Sequence, residues 1–393
     1  MTAWKEVALG NFINVKHGYA FKGDEITSEE RPEVLLTPGN FYIGGGFKSA
    51  KFKFFKGNYP QSYVLKEDDI VVTMTDLSKE GDTLGYGAKI PKSNGKVYLH
   101  NQRIGLIEFI RDDICKNFLY WILRTSEYQG FILGAATGTS IRHTSPTTIK
   151  EYKFLLPPSR EQKNIAAALS SLDDKMDLLH RQNQTLEAMA ATLFRQWFVK
   201  EAQENWDERP LSSIANFLNG LACQKFPSKN ELDKLPVLKI KELSSGISES
   251  SDWATSDVKP EFIVEAGDVI FAWSASLMVK VWDGEKCVIN QHLFKVTSNE
   301  FPKWFYLMWC NHHLAEFIFI SASHATTMGH IKRGDLDAAM VNVPPENEMK
   351  AMSEQMTPLL DKQIAIAKQI KSLEKLRDTL LPKLMSGEVQ VVC

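Results

Sequence analysis

The 393-residue chain carries 46 Lys+Arg against 48 Asp+Glu, a formal net charge of −2, and five cysteines. That length accommodates two domains of ordinary size, and it holds neither the run of about eighteen apolar residues that a membrane span requires nor the apolar core of a signal peptide. The expected location is the cytoplasm, where Cys115, Cys223, Cys287, Cys310 and Cys393, with no Cys-x-x-Cys spacing, suit free thiols rather than a disulfide or zinc framework.

Residues 1–158 read as a mixed α/β domain. Short β-rich runs at Val34-Leu35-Leu36, Ile70-Val71-Val72-Thr73-Met74 and Ile104-Gly105-Leu106-Ile107 are set off by Gly, Asn and Asp turn signals. In the stretch 44–56, strand alternation puts Lys51 and Lys53 on one side and Phe52 and Phe54 on the other, with Lys48 just before them. Cations so arranged suit phosphate groups, and they also suit an edge strand guarded against pairing. Asn101-Gln102-Arg103 is a polar turn whose side chains can address base edges or tie down backbone. The run from Phe118 through Leu123 to Phe131 keeps helical spacing and reads as a buried helix. A loop of small and polar residues, 134–143, ends in Arg142 and His143, and a short strand at 152–156 leads into Pro157-Pro158.

Ser159-Arg160-Glu161-Gln162 then has the form of a capping box. Apolar residues follow at alternating steps of four and three: Ile165, Leu169, Leu172, Met176, Leu179, Leu186, Ala190, Leu193 and Trp197, with Asn183 as the polar exception. No Pro or Gly interrupts 159–204, which predicts one helix of about 45 residues, roughly 65 Å long. Its 3.5-residue seam is that of a coiled coil and requires a partner. Phe194, Trp197 and Phe198 at its far end are expected to pack on whatever follows.

The partner lies 187 positions on. Pro344-Pro345 repeats the proline pair, and the shifted seam is Met352, Met356, Leu359, Gln363, Ile366, Ile370, Leu373, Arg377, Leu380 and Leu384. The globular stretches repeat as well. His17-Gly18-Tyr19-Ala20 matches Asn219-Gly220-Leu221-Ala222, and Ile70 at the end of Glu67-Asp68-Asp69 matches Val269 after Ala266-Gly267-Asp268. Asn101-Gln102 matches Asn290-Gln291-His292, and His143 matches His330. This is an internal duplication: globular unit, long helix, globular unit, long helix. The expected bounds are 1–158, 159–205, 206–345 and 346–393. Because the second unit starts where the first helix ends, the second helix must run back along the first, antiparallel, about a pseudo-two-fold axis.

Residues 1–158 hold 20 Lys+Arg against 17 Asp+Glu, and 206–345 hold 13 against 17. A phosphate-binding role therefore needs cations gathered on one face; in the second unit His324, His330 and Lys332 are the candidates, while Gln291 and His292, like Gln102 and Arg103, can address base edges or tie down backbone. His312 and His313 are adjacent on a helix and cannot face one metal site, so no metal is expected. No Gly-rich loop for S-adenosylmethionine, no Walker loop and no nuclease constellation is visible, so the chain is not expected to be an enzyme.

A tandem of globular domains, each closing in Pro-Pro and a long helix, with Leu156-Pro157-Pro158-Ser159-Arg160-Glu161-Gln162, Leu172-Asp173-Asp174-Lys175, Leu193-Phe194 and Gly267-Asp268-Val269-Ile270, resembles the specificity subunits of type I restriction–modification systems. The second copy departs from the pattern with Glu346-Asn347-Glu348-Met349. The resemblance implies an α+β fold of two target-recognition domains, each reading one half of a divided double-stranded DNA sequence. It implies helices that dock two modification (methyltransferase) subunits and, through them, restriction subunits. S-adenosylmethionine would belong to the former and ATP with Mg to the latter. It strengthens Lys48, Lys51 and Lys53 as DNA contacts in the first domain; Gln102 and Arg103 stay candidates beside the preferred backbone-tying alternative, and Arg142 and His143 stay candidates for phosphate. The other function class is a protein-binding scaffold with a coiled-coil spacer, which the acidic second unit favours.

Overall fold

The computed structural model describes residues 4–76, 78, 81–138, 141–248, 250–323 and 329–391. It divides into two compact units, Met1–Asp174 with Lys375–Cys393, and Lys175–Glu374, and the division falls within both long helices.

The first unit is built on two four-stranded sheets. One has the order Ile13–His17, Ile104–Phe109, Ile70–Thr73, Gly87–Lys89, every neighbour antiparallel. The other runs Ile26–Thr27, Lys53–Phe55, Glu33–Leu35, Val97–Leu99, the last pair parallel. The second unit repeats the plan. Asn216–Asn219, Leu293–Thr297, Val269–Ala272 and Met278–Val281 form one sheet; Trp253–Thr255, Lys234–Leu238, Cys287–Ile289 and Ile263–Val264 form the other. The matched turns agree to the atom. Asp69 accepts from the Lys66 amide at 2.8 Å, and Asp268 accepts from the Glu265 amide at 2.9 Å.

The long helices are Ser159–Arg195, prolonged by a π-turn Gln196–Lys200, and Glu346–Met385. In the first unit the opening turns of one meet the closing turns of the other, where Ile165, Ala166 and Leu169 share a core with Leu381 and Leu384. In the second unit Leu179 meets Ile366 and Ile370, with Leu186 and Leu373 at the margin. Further along the second unit, Ala190, Phe194 and Phe198 join Met352, Met356 and Leu360, while Leu193 packs beside them. Both units therefore hold the pair antiparallel. Met176 is buried and Leu172 half-buried. Leu360 and Leu381 sit deeper than the expected Leu359 and Leu380. An α-helix turns every 3.6 residues, so a strict 3.5 seam drifts by about 20° per heptad.

Four local expectations need correcting. The first helix stops at Lys200 rather than near 204, because Phe198 is drawn into an aromatic core with Trp206, Trp304, Phe305 and Trp309. No Ser159–Gln162 capping box forms. The Gln162 amide N–H reaches the Pro158 carbonyl, while its buried side chain accepts from the Cys115 amide (2.8 Å) and donates to the Pro157 carbonyl (2.9 Å). The matching Met349 amide reaches Pro345 at 2.9 Å, so the second helix begins at the equivalent place without a Gln. The run 118–131 is broken into Lys116–Ile122 and Ser126–Gly134 by Thr125, whose hydroxyl accepts from the Tyr128 amide. Its counterpart, Lys303–Ser323, is continuous. Finally, Lys51 is not in a strand: it has a φ of 51°, a conformation of tight turns, and the strand starts at Lys53.

Candidate nucleic-acid interface

In each unit a glycine lets two chain segments approach closely. A Cβ on Gly18 would lie 2.0 Å from the Asn101 carbonyl oxygen, and one on Gly220 would lie 2.3 Å from that of Asn290. The Tyr19 amide donates to His100 (2.8 Å), and the Gln102 amide donates back to Tyr19 (2.9 Å). In the second unit Leu221 donates to Ile289 (2.9 Å) and Gln291 to Leu221 (2.8 Å). Asn290 is buried, and its side chain accepts from the His292 amide at 3.3 Å, so the Asn of the turn serves the backbone. Gln102 and Arg103 are exposed; Gln291 and His292 are half-buried.

Around the first turn the Met74 amide donates to the Arg103 carbonyl (2.9 Å), and Thr75–Asp76 pairs with Arg142–His143. The Thr75 hydroxyl lies 3.1 Å from His143 Nδ1. Gln102-Arg103 and Arg142-His143 are thereby joined through one short ribbon. Burial opposes the charge of Asp76, but donors from Thr83 and Ser78 outweigh it and hold the carboxyl below its ordinary value. That anchored carboxylate ties the ribbon to Ser78 and Thr83.

In the second unit Ser274 bridges to His330, and its hydroxyl lies 3.1 Å from His292 Nδ1. Trp273 stands between His292 and His330, with ring centroids at 6.0 and 6.3 Å, and donates to Asn219 at 3.2 Å. Gln291, His292 and His330 thus share one surface, and Lys332 is exposed two residues beyond. His324 lies outside the described residues.

The lysine segment forms a separate cluster. Lys51 and Lys53 are exposed, and Lys48 is half-buried over the Tyr42 ring at 5.7 Å. The strand Lys53–Phe55 is interior to its sheet, so guarding an edge is not the reason for the lysines. Phe54 and Phe55 are both buried.

Sequence reasoning passed over Thr75, Ser274 and Trp273, whose role depends on strand pairing. It also passed over Lys16 and Tyr19, beside the first turn. Lys16 Nζ donates to the Ser62 carbonyl (2.9 Å) and sits 4.9 Å from the Tyr63 ring, while Tyr19 packs on Tyr63 at 5.3 Å. The Thr75–Ser274 match was available from the repeat itself, since both follow the Ile70 and Val269 strands at the same spacing. Behind the turn, burial pushes His100 down to about 4, with Nε2 donating to the Ile104 carbonyl at 2.9 Å.

The duplicated scaffold has relatives. The Type I restriction modification DNA specificity domain matches residues 1–188 and again 203–375. The chain belongs to the family of type I restriction–modification specificity subunits. Such subunits are non-catalytic, and this one carries two target-recognition domains. The specificity subunit is 27% identical over 310 residues to the type I restriction enzyme MjaIX specificity subunit of Methanocaldococcus jannaschii, covering 72% of this chain and 71% of that one. It is 23% identical to the MjaVIII specificity subunit of the same organism, over 99% and 93% of the two. The type I restriction–modification S subunit from M. genitalium has the same fold, with a TM-score of 0.56 at 16% identity over 97% and 96% of the chains. Among the described residues no helix is long and apolar enough to cross a membrane, and no group of His, Cys, Asp or Glu is set to hold a metal.

Proposed function

We propose that this specificity subunit reads a divided, asymmetric double-stranded DNA target, one half with residues 1–158 and the other with 206–345. In this reading 159–205 and 346–393 form the spacer that docks two methyltransferase subunits, which carry S-adenosylmethionine. Restriction subunits, with ATP and Mg, join through them. One observation carries the proposal: the same pair of backbone bonds holds Gln102-Arg103 in one unit and Gln291-His292 in the other. One scaffold presents different donors and acceptors, which suits two unlike half-sites. Arg is suited to guanine and Gln to adenine in the major groove, while Lys51, Lys53 and Lys332 serve phosphates. Two weak half-contacts on one body add up to a strong one through effective concentration.

The test is methylation mapping with the assembled complex on random-sequence DNA. A divided target is expected, and exchanging residues 206–345 for those of a relative should change one half only. A single continuous target, or none, refutes the reading. A target unchanged by the exchange would favour the scaffold alternative, to which the 13 Lys+Arg against 17 Asp+Glu of that segment point.

A further inference from the structure

We propose that Arg124 is a positioning residue for the first half-site: it clamps the turn 42–46, and with it the lysine segment, against the paired helices. The inference rests on the reading that residues 1–158 contact DNA. Arg124 is almost wholly buried, and its guanidinium lies 4.4 Å from the centroid of the Trp121 ring. Its Nε donates to the Gly44 carbonyl (3.0 Å) and Nη1 to the Tyr120 hydroxyl (2.9 Å). Nη1 also pairs with Asp173 of the first long helix. The other Asp173 oxygen accepts from Arg377 of the second long helix at 3.2 Å. Arg124 thus spans turn, short helix and first long helix, and Asp173 carries the network on to the second long helix through Arg377.

Within itself the turn is closed by the Tyr42 amide to Gly46 (3.1 Å) and the Gly45 amide to Tyr42 (3.0 Å), bonds that fix its shape but not its place. Gly44, Gly45 and Gly46 all have positive φ, and Tyr42 and Ile43 are 51% and 71% exposed. A glycine run loses much entropy on ordering, so its placement depends on specific bonds. Gly45 is pressed so close that a Cβ would meet Arg124 Cγ at 2.7 Å and the Gly87 carbonyl at 2.8 Å. The Gly46 amide donates to that carbonyl at 2.9 Å. From there the chain runs directly to Lys48, whose amide donates to Asn40 at 2.8 Å, and on to Lys51 and Lys53.

The second unit is the internal control. At the constant step of 187, Tyr120, Arg124 and Asp173 fall on Leu307, Asn311 and Leu360, and Arg377 falls on Ala190. All four line a cleft of about 370 Å³, together with Val279, which stands where the first unit has Gly87. Packing a reader on the helix pair therefore does not need the ionic clamp. What the clamp adds in the first unit is a grip on the turn.

The decisive variant gives the first unit the second unit's residues: Tyr120→Leu, Arg124→Asn, Asp173→Leu and Arg377→Ala together. Replacing a buried ionic network as a whole is tolerated far better than removing one partner. With the full chain in complex with its methyltransferase, binding is measured on duplexes carrying single base-pair changes in each half. A wrong pair ordinarily costs roughly 5- to 150-fold. The expected result is a folded variant whose discrimination in the first half falls to within about 3-fold while the second half is untouched. Arg124→Lys, which keeps the charge toward Asp173 but not the fork to Gly44, should show the same one-sided loss, and it carries the test alone if the fourfold variant does not fold. In the free chain, exchange of the Gly46 amide should quicken by at least about 10-fold in either variant. Intact first-half discrimination in a folded variant, equal loss in both halves, or unchanged exchange at Gly46 overturns the proposal. A wild-type complex without a divided target would instead overturn the function proposed above, and the exchange measurement would still decide the clamp.

Discussion

Gly18→Ala is the sharpest probe of how the recognition turn is built. The added methyl carbon would stand 2.0 Å from the Asn101 carbonyl oxygen and 2.7 Å from that of His100. Both are backbone atoms, so no side chain can swing aside, and the turn must retreat by about 1 Å to reach a tolerable contact. That retreat stretches the Tyr19–His100 and Gln102–Tyr19 bonds of 2.8 and 2.9 Å, each worth about 1 kcal/mol net. Displacing packed backbone adds about 1–3 kcal/mol. The total, about 3–5 kcal/mol, is a large part of the 5–15 kcal/mol that holds an ordinary domain. Urea denaturation of the full chain, followed by tryptophan fluorescence, measures it. Gly23→Ala is the control, because nothing stands within 4 Å of a Cβ there, and it should change stability by less than about 0.5 kcal/mol. If Gly18→Ala unfolds at the same urea concentration as Gly23→Ala, the close approach is not what fixes the turn.

Stability should fall between about pH 6.5 and 4 through His100, which stays neutral in the fold while the unfolded chain takes a proton. The loss reaches about 3 kcal/mol at the acid end, and His100→Gln should flatten that part of a stability–pH curve. Leu179→Ala, at a position 2% exposed beside Ile366 and Ile370, should cost about 2–5 kcal/mol by chemical denaturation. Leu178→Ala, on the exposed side, should cost less than about 0.5 kcal/mol. Burial pushes the Cys287 and Cys310 thiols up, so a thiol reagent followed by mass spectrometry should label Cys115 before those two, which react only on unfolding.

The duplication was legible because two kinds of periodicity survive in the residues: the helix seam and the repeat of whole motifs. Ile165 with Leu169, and Met352 with Met356, could be paired on paper because a helix face is a local property. The sequence also led to the Asn101 and Asn290 turns, since the same dipeptide recurs in the same context. What escaped it depends on atoms brought together from far apart. Gln162 looked like a cap for its own helix, yet it serves the Cys115 amide 47 residues back. Arg124 drew no notice, as a lone cation after an apolar run says nothing of Gly44 or Asp173. The break at Thr125 was hidden for a different reason: the helical spacing continues across it, while one hydroxyl restarts the helix.

The first compact unit contains Lys375–Cys393 as well as Met1–Asp174. On a ribosome, its sheets would be complete some two hundred residues before Leu381 and Leu384 emerge to cover Ile165 and Leu169. Until then the nascent chain carries a bare greasy stripe, a state prone to sticking to its neighbours. Removing residues 375–393 should therefore damage the unit that holds residues 4–174, far away in sequence.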